Sequence, residues 1–344
     1  MVIRQRYEWK LRSRTLLLGE RAMTMAVLNV TPDSFSDGGK YTDPDRAAER
    51  AVELDELGAD IIDIGAESTR PGAEKISEAE ELRRLVPVLK RLEGRLKKAV
   101  ISVDTYKAAV ALKATEYGAE IINDPSGFSW DENMAKTAAQ TDVGFILNHM
   151  RGTPETWAKL GPIKDLILNV RQDLEAAISR TLRAGVEKKR LVIDPGIGFG
   201  KRREQNAELI AHIPEFASLG TPVMIGPSRK SFLKQETPIA TEFASAAAIT
   251  ACLLNGAHII RMHDLAAMKS VMEVAEAIFK AGIVVEKEEP EEKPKQNGPR
   301  HDGPDPGVNR VHETSKRPHQ SLNQILRPGR GAPRTGPGPR RDRS

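Results

Sequence analysis

The chain has 344 residues, 52 basic against 48 acidic, 39% hydrophobic and with a single cysteine. At about 100–200 residues per domain, this allows two or three ordinary domains or one large α/β barrel with an extension, while Cys252 alone excludes an internal disulfide and a cysteine-cluster metal site and suits a cytoplasmic protein. The last 60 residues hold 13 basic and 9 acidic side chains, which leaves residues 1–284 with 39 of each, so the charge of +4 sits in the tail and gives no reason to expect nucleic acid on the folded part.

In chain order, residues 1–22 read as an N-terminal hairpin, with Gly19-Glu20 turning between Leu16–Leu18 and Met23–Met25. Leu16-Leu17-Leu18 is too short for the apolar core of a signal peptide. Eight short apolar runs with polar ends follow: Met23–Asn29, Ala59–Asp63, Ala99–Asp104, Ala119–Asn123, Val143–His149, Leu191–Asp194, Pro222–Ile225 and Ala257–Arg261. Runs apolar on both faces are what a parallel sheet covered by helices requires. Between them, Asp43-Pro44 reads as the cap and first residue of a helix ended by Gly58. Ser77-x-x-Glu80 reads as a capping box before Leu82, Leu85, Val86 and Leu89. Further helical patterns cover Lys107–Tyr117, Asp165–Ala184, Thr241–Asn255 and Asp264–Ala281. The joint Gly-Ala-x-Ile-Ile recurs from Gly58, Gly118 and Gly256, a helix end passing into a strand each time. The nearly apolar stretch Phe243–Leu254 falls short of the ~18 residues of a membrane span, so no membrane partner is expected.

Eight β/α units over residues 23–284 predict the α/β class and a (β/α)8 TIM barrel. Residues 285–344 carry ten of the 22 prolines, seven glycines and no Phe, Trp or Tyr. Such a segment buries too little apolar surface to offset its ordering entropy, and a disordered Pro/Gly/Arg-rich tail is expected there.

Reactive groups in a barrel of this kind come from the C-terminal strand ends and the loops after them. Here those ends carry Asn29, Asp63, Asp104, Asn123, His149, Asp194, Ser228-Arg229-Lys230 and Arg261-x-His263. Asp104, Asn123 and Asp194 suit the paired N–H edge of a flat heterocycle, and Lys230 can donate to a ring carbonyl. Asn29, Arg70, Arg261 and His263 form a second group, suited to phosphate oxygens. The ligand this implies has a heterocycle at one end and an anion at the other. His149 equally suits a satisfied core histidine, and Cys252 suits inert packing. Gly196-Ile197-Gly198-Phe199-Gly200-Lys201 lacks the spacing of a dinucleotide or Walker loop, and the absence of an H-E-x-x-H helix makes zinc improbable.

Seven segments, taken together, resemble bacterial dihydropteroate synthase, a folate-pathway, pterin-binding family inhibited by sulfonamides. They are Asn29–Gly39, Asp63–Gly72, Ile101–Thr105, Ile121–Asp124, Asp194–Lys201, Ser228–Ser231 and Arg261–Asp264, in the family's order. The resemblance implies condensation of 6-hydroxymethyl-7,8-dihydropterin pyrophosphate with p-aminobenzoate, with Mg2+, to give 7,8-dihydropteroate and pyrophosphate. It places the pterin on Asp104, Asn123, Asp194 and Lys230, and the pyrophosphate on Asn29, Arg70, Arg261 and His263, with Asn29 also on the metal. It places p-aminobenzoate among Phe35, Thr69, Pro71, Phe199, Ser228 and Arg229, and counts Asp104, Lys230, Asp33 and Arg261 as catalytic. It implies mobile loops over about residues 30–41 and 68–77, and a homodimer formed through the later helices. Chemistry agrees, since a leaving pyrophosphate needs positive charge and a Lewis acid, and the cationic methylene it leaves needs a nearby anion such as Asp104. Two positions depart from the family pattern: Asn148 stands where methionine is common, and Pro125 where an aliphatic residue is usual. The nearest competing reading is a pterin-binding methyltransferase using methyltetrahydrofolate and a corrinoid protein, which has no need for Asn29, Arg70 and Arg261 around an anion. A different class, a non-catalytic barrel whose arginine-rich tail engages RNA, would leave gaps among the polar strand ends.

Overall fold

The computed structural model describes residues 3–31, 43–68 and 75–282. A hairpin of β1 (Tyr7–Lys10) and β2 (Thr15–Leu18) leads into eight strands: β3 (Met23–Asn29), β4 (Ile61–Gly65), β5 (Val100–Asp104), β6 (Ile121–Asp124), β7 (Gly144–Asn148), β8 (Leu191–Asp194), β9 (Met224–Ile225) and β10 (Ile259–Met262). The helices among the described residues are α1 (Pro44–Leu57), α2 (Glu78–Leu92), α3 (Ala108–Glu116), α4 (Met134–Ala139), α5 (Leu166–Arg183), α6 (Arg203–Ala211), α7 (Ile213–Ala217), α8 (Pro238–Leu254) and α9 (Leu265–Ala281). Strands β3 to β8 pair in parallel in chain order, β10 pairs with β3 and β9 with β10. A parallel bridge between Ile193 and Val223 joins the two remaining edges, which completes the barrel.

One apolar cluster fills the N-terminal end of the barrel. Met25, Ile61, Val100, Ile121, Ile146, Val192, Met224 and Ile259 meet there with Trp9, Leu11 and Leu18 of the hairpin. Trp9 is fully buried and its indole N–H donates to the Arg190 carbonyl oxygen at 3.0 Å. The hairpin therefore stoppers the barrel from below. Gly144 makes this possible, because a Cβ there would lie 2.5 Å from Leu11 Cδ2 and 2.8 Å from Trp9 Nε1. A larger cluster lies between the strands and the helical ring. Successive strand residues face opposite sides, so the positions two beyond the floor also point inward. These are Asp63 after Ile61, Ser102 and then Asp104 after Val100, Asn123 after Ile121, Asn148 after Ile146, Asp194 after Val192 and Arg261 after Ile259. The pleat thus lays a polar layer directly on an apolar floor.

The caps follow the sequence with two corrections. Asp43 accepts from the Asp45 N–H at 3.0 Å, and Gly58 ends α1 at φ 95°, as expected. Only half of the box at Ser77 forms: Ser77 Oγ accepts from the Glu80 N–H at 3.2 Å, but the Glu80 carboxylate turns to Arg83 Nε (2.7 Å) and Arg84 Nε (2.6 Å). Two charge-assisted bonds outweigh one to a backbone N–H, and they hold the Glu80 pKa down to about 2. Helix α8 starts three residues before the predicted Thr241, because Thr237 caps it and Pro238 occupies the first turn. The hairpin is also paired differently. β1 is the antiparallel partner of β2, and the predicted partner, Met23–Met25, lies between β4 and β10 in the barrel.

The chain falls into one unit over Met1–Glu286 and another over Lys287–Ser344, the second lying outside the described residues together with the tail expected there. No helix among the described residues is long and apolar enough to cross a membrane.

Candidate active site

The strand ends at the open mouth of the barrel are joined by one network of charge. Asp63, fully buried, accepts from Ser102 Oγ–H at 2.7 Å, Asn123 Nδ2–H at 3.1 Å and Arg261 Nε–H at 2.7 Å. Arg261 then reaches Asp104, its Nη2–H donating to Oδ2 at 2.8 Å. Asn29, Gly65, Asp104 and Asn123 are successive Cα partners across β3, β4, β5 and β6, so they share one level of the barrel. Glycine at the second of these opens that level: a Cβ on Gly65 would lie 3.5 Å from Asn29 Oδ1 and 3.6 Å from Asp104 Cβ.

Burial moves the titration of these groups toward neutrality. It pushes Asp104 up to about 7, with the Arg261 guanidinium opposing and Asp63 adding to the rise. It raises Asp194 as well, against the Gly196 N–H bond and the charges of Lys230, Lys201 and Arg261. It lowers Lys230 to about 8, helped by the neighbouring Arg261. A carboxyl and an amine both brought near neutral pH in one concavity mark a place where protons and charge are handled.

Lys230 and Phe199 meet, the ammonium 4.1 Å from the ring centroid, and Phe199 in turn packs edge-on against Trp157 at 5.5 Å. Ser228 Oγ accepts from the His263 N–H at 3.3 Å. Between them, Arg229 takes a left-handed φ of 55°, and its guanidinium turns to Glu242 Oε1 (2.6 Å) and Asp264 Oδ2 (3.4 Å). That turn sends three consecutive side chains to three different neighbours. Of the residues expected from the sequence, the structure thus brings Asn29, Asp104, Asn123 and Arg261 into one cluster, with Asp194, Lys230, Phe199, Ser228 and His263 around it, and engages Arg229 with α8 and the start of α9. Asp33, Phe35, Thr69, Arg70 and Pro71, with most of the two loops expected to be mobile, lie outside the described residues.

His149 is engaged away from the bowl: its Nε2 is 3.0 Å from Asp173 Oδ2 on α5, and burial lowers its pKa to about 4. The two departures from the family pattern turn out to be partners, Asn148 Nδ2–H donating to the Pro125 carbonyl oxygen at 2.7 Å. Sequence reasoning names Asp63 among the polar strand ends but gives it no role, since one polar strand end is not distinguished from its neighbours, and it passed over Lys201, whose glycine loop matched no phosphate motif. It also passed over Lys107, a buried lysine bonded to both Glu67 and Glu81.

For a metal, the described residues contain no cluster of three or more His, Cys, Asp or Glu side chains. The donor at the mouth is instead the Asn29 amide oxygen, beside Gly65. A single protein oxygen fits Mg2+, which keeps much of its coordination for water and substrate phosphate and takes only one or two protein oxygens.

Fold and polar strand ends together define a (β/α)8-barrel enzyme with its site at the C-terminal mouth. Residues 25–263 match the family of pterin binding enzymes. A dihydropteroate synthase of Synechocystis sp. is 41% identical over 266 residues, 76% of this chain and 92% of the relative. The solved structure of Yersinia pestis dihydropteroate synthase with a sulfonamide drug matches at a TM-score of 0.74 and 38% identity, covering 80% of this chain and 99% of that one. That of Xanthomonas albilineans dihydropteroate synthase with 4-aminobenzoic acid matches at 0.71 and 37%, covering 79% and 98%. The chain belongs to the pterin-binding enzymes and, among them, to the dihydropteroate synthases.

Proposed function

We infer that the protein condenses 6-hydroxymethyl-7,8-dihydropterin pyrophosphate with p-aminobenzoate, releasing pyrophosphate and forming 7,8-dihydropteroate. The observation that carries the assignment of roles is the linked cluster of Asp63, Asp104, Asn123 and Arg261 at the barrel mouth, with Asp194 and Lys230 beside it. Asp104, Asn123 and Asp194 receive the ring N–H groups, and Lys230 donates to the ring carbonyl. Arg261 offers a guanidinium with five N–H donors, of which the two carboxylates engage Nε and Nη2, so it can serve phosphate oxygens while held in place. Asn29 and His263 join it there, and the resemblance adds Arg70, which lies outside the described residues. The C–O bond to pyrophosphate breaks with its electrons leaving on oxygen, the p-aminobenzoate nitrogen bonds to the methylene carbon, and that nitrogen gives up a proton to water. Asp104 supplies the negative charge that the electron-poor methylene needs as the leaving group departs. Mg2+, held through Asn29, would act on the departing phosphate oxygens as a Lewis acid. Phe199 and Ser228 border the p-aminobenzoate, a role the resemblance also gives to Phe35, Thr69 and Pro71, as it gives a catalytic one to Asp33, all four outside the described residues.

The test is direct. Purified protein mixed with the pterin pyrophosphate, p-aminobenzoate and Mg2+ is expected to yield 7,8-dihydropteroate, and a preparation that binds neither substrate and forms no product would overturn the assignment.

A homodimer is part of the same reading. Ile239 and Phe243 on α8 are 66% and 69% exposed, an apolar patch on an alanine-rich helix, and a second copy of the chain suits it. Sedimentation is expected to give twice the chain mass, and Phe243→Asp to give monomers. A cytoplasmic location accords with the lone buried Cys252.

A further inference from the structure

The glycine-rich segment that fits no phosphate motif is built into the wall of the site. Lys201 is half-buried there, its Nζ 2.8 Å from the His149 carbonyl oxygen and 2.7 Å from each of those of Pro195 and Gly196. Three acceptors at this range use all three protons of an ammonium, whereas a neutral amine has only two to donate. Burial works against the charge, and Asp194 and Asp173 attract it. A cation taken out of water into main-chain carbonyls is costly to keep, and the geometry shows what it holds.

The Pro195 carbonyl oxygen and the Gly196 N–H are the two ends of one peptide group. Lys201 donates to the oxygen, and the N–H at the other end donates to Asp194 Oδ1 at 2.7 Å. Hydrogen bonds in series polarise one another, so the ammonium strengthens the donor that holds the carboxylate. Its bond to His149 ties the same turn to the end of β7. Gly196 sits at φ 75°, and a Cβ there would collide with the His149 carbonyl oxygen and lie 2.8 Å from Lys201 Nζ. The clamp is therefore closed on both sides.

We propose that Lys201 is a positioning residue for the reaction, acting through the Pro195–Gly196 peptide to hold the Asp194 carboxylate where it receives the pterin ring. This rests on the assignment of Asp194 to the pterin. The experiment is a double-mutant cycle on the full-length protein, reading the affinity for the pterin pyrophosphate by titration calorimetry in wild type, Lys201→Met, Asp194→Asn and the double variant. Lys201→Met is expected to weaken binding about tenfold alone and at most about threefold when Asp194→Asn is already present, since residues in one hydrogen-bond chain do not contribute independently. Losses that multiply would show that Lys201 supports the fold in general and would overturn the proposal. A wild type that does not bind removes the assignment of Asp194 and this inference with it, whereas tight wild-type binding with multiplying losses removes this inference alone. If Lys201→Met does not fold, Gly196→Ala strikes the same clamp without touching a charge. It is expected to show the same dependence on Asp194, and a multiplying loss there also overturns the proposal.

Discussion

Arg261 comes to the mouth of the barrel as a shared cation. Asp63 beneath it is fully buried with three donors on it, so its removal leaves a guanidinium short of a partner in low dielectric. Breaking such a pair from one side costs about 3–5 kcal/mol, and Asp63→Ala is expected to lower the urea midpoint accordingly with an unchanged slope. Asp104 carries a different prediction. Asp104→Asn is expected to lower turnover by ~10²–10³, the loss typical of one preorganised electrostatic contact, and an unchanged kcat would remove Asp104 from the mechanism. Its pKa also sets a pH dependence. The carboxyl is raised from 3.8 to about 7 in the folded protein, first by burial. Activity that needs the carboxylate therefore rises through about pH 7. For stability the sign is opposite: the folded state binds the proton more tightly, so this contribution is present below the unfolded value and is lost as pH rises through about 7. Asp104→Asn is expected to gain stability relative to wild type between pH 4 and pH 8, measured by denaturant midpoints.

Among the elements, the N-terminal hairpin has the clearest energetic task. Trp9 and Leu11 close the barrel floor over Gly144, where the chain approaches too closely for any side chain. Trp9→Ala is expected to cost about 3–5 kcal/mol through the cavity it leaves, and Gly144→Ala about 1–3 kcal/mol through overpacking. Both are read from unfolding curves, and an unaffected Gly144→Ala would mean that the hairpin does not seat as described. The floor matters to the site because the strand pleat counts upward from it: Ile61, Ile121, Val192 and Ile259 in the apolar layer set Asp63, Asn123, Asp194 and Arg261 in the polar one. A strand shifted by one residue would turn its polar group out toward the helices.

For the whole molecule, charge and composition separate a neutral body over residues 1–284 from an extension over 285–344. The polar strand ends that form the site all lie in the body, so deletion of residues 285–344 is expected to leave condensation activity intact. Loss of activity on deletion would give the extension a part in the reaction.

The alternation of apolar runs with capped helices, the glycine joints at Gly58, Gly118 and Gly256, and the polar residues at the strand ends are local patterns, set by propensities and by the period of the chain. They are enough to write a barrel, its mouth and most of the residues around it. What the sequence did not contain is who meets whom. Arg261 lies 198 residues from Asp63 and 157 from Asp104, Lys201 lies 52 from His149, and Asn148 lies 23 from Pro125. The hairpin's own pairing is not legible locally for a related reason, since Met23–Met25 has the pattern of a hairpin strand and only the neighbouring barrel strands claim its edges. Closing the ring makes these contacts, and the low dielectric inside it decides their strength, so the site's charges and their titration belong to the tertiary structure alone.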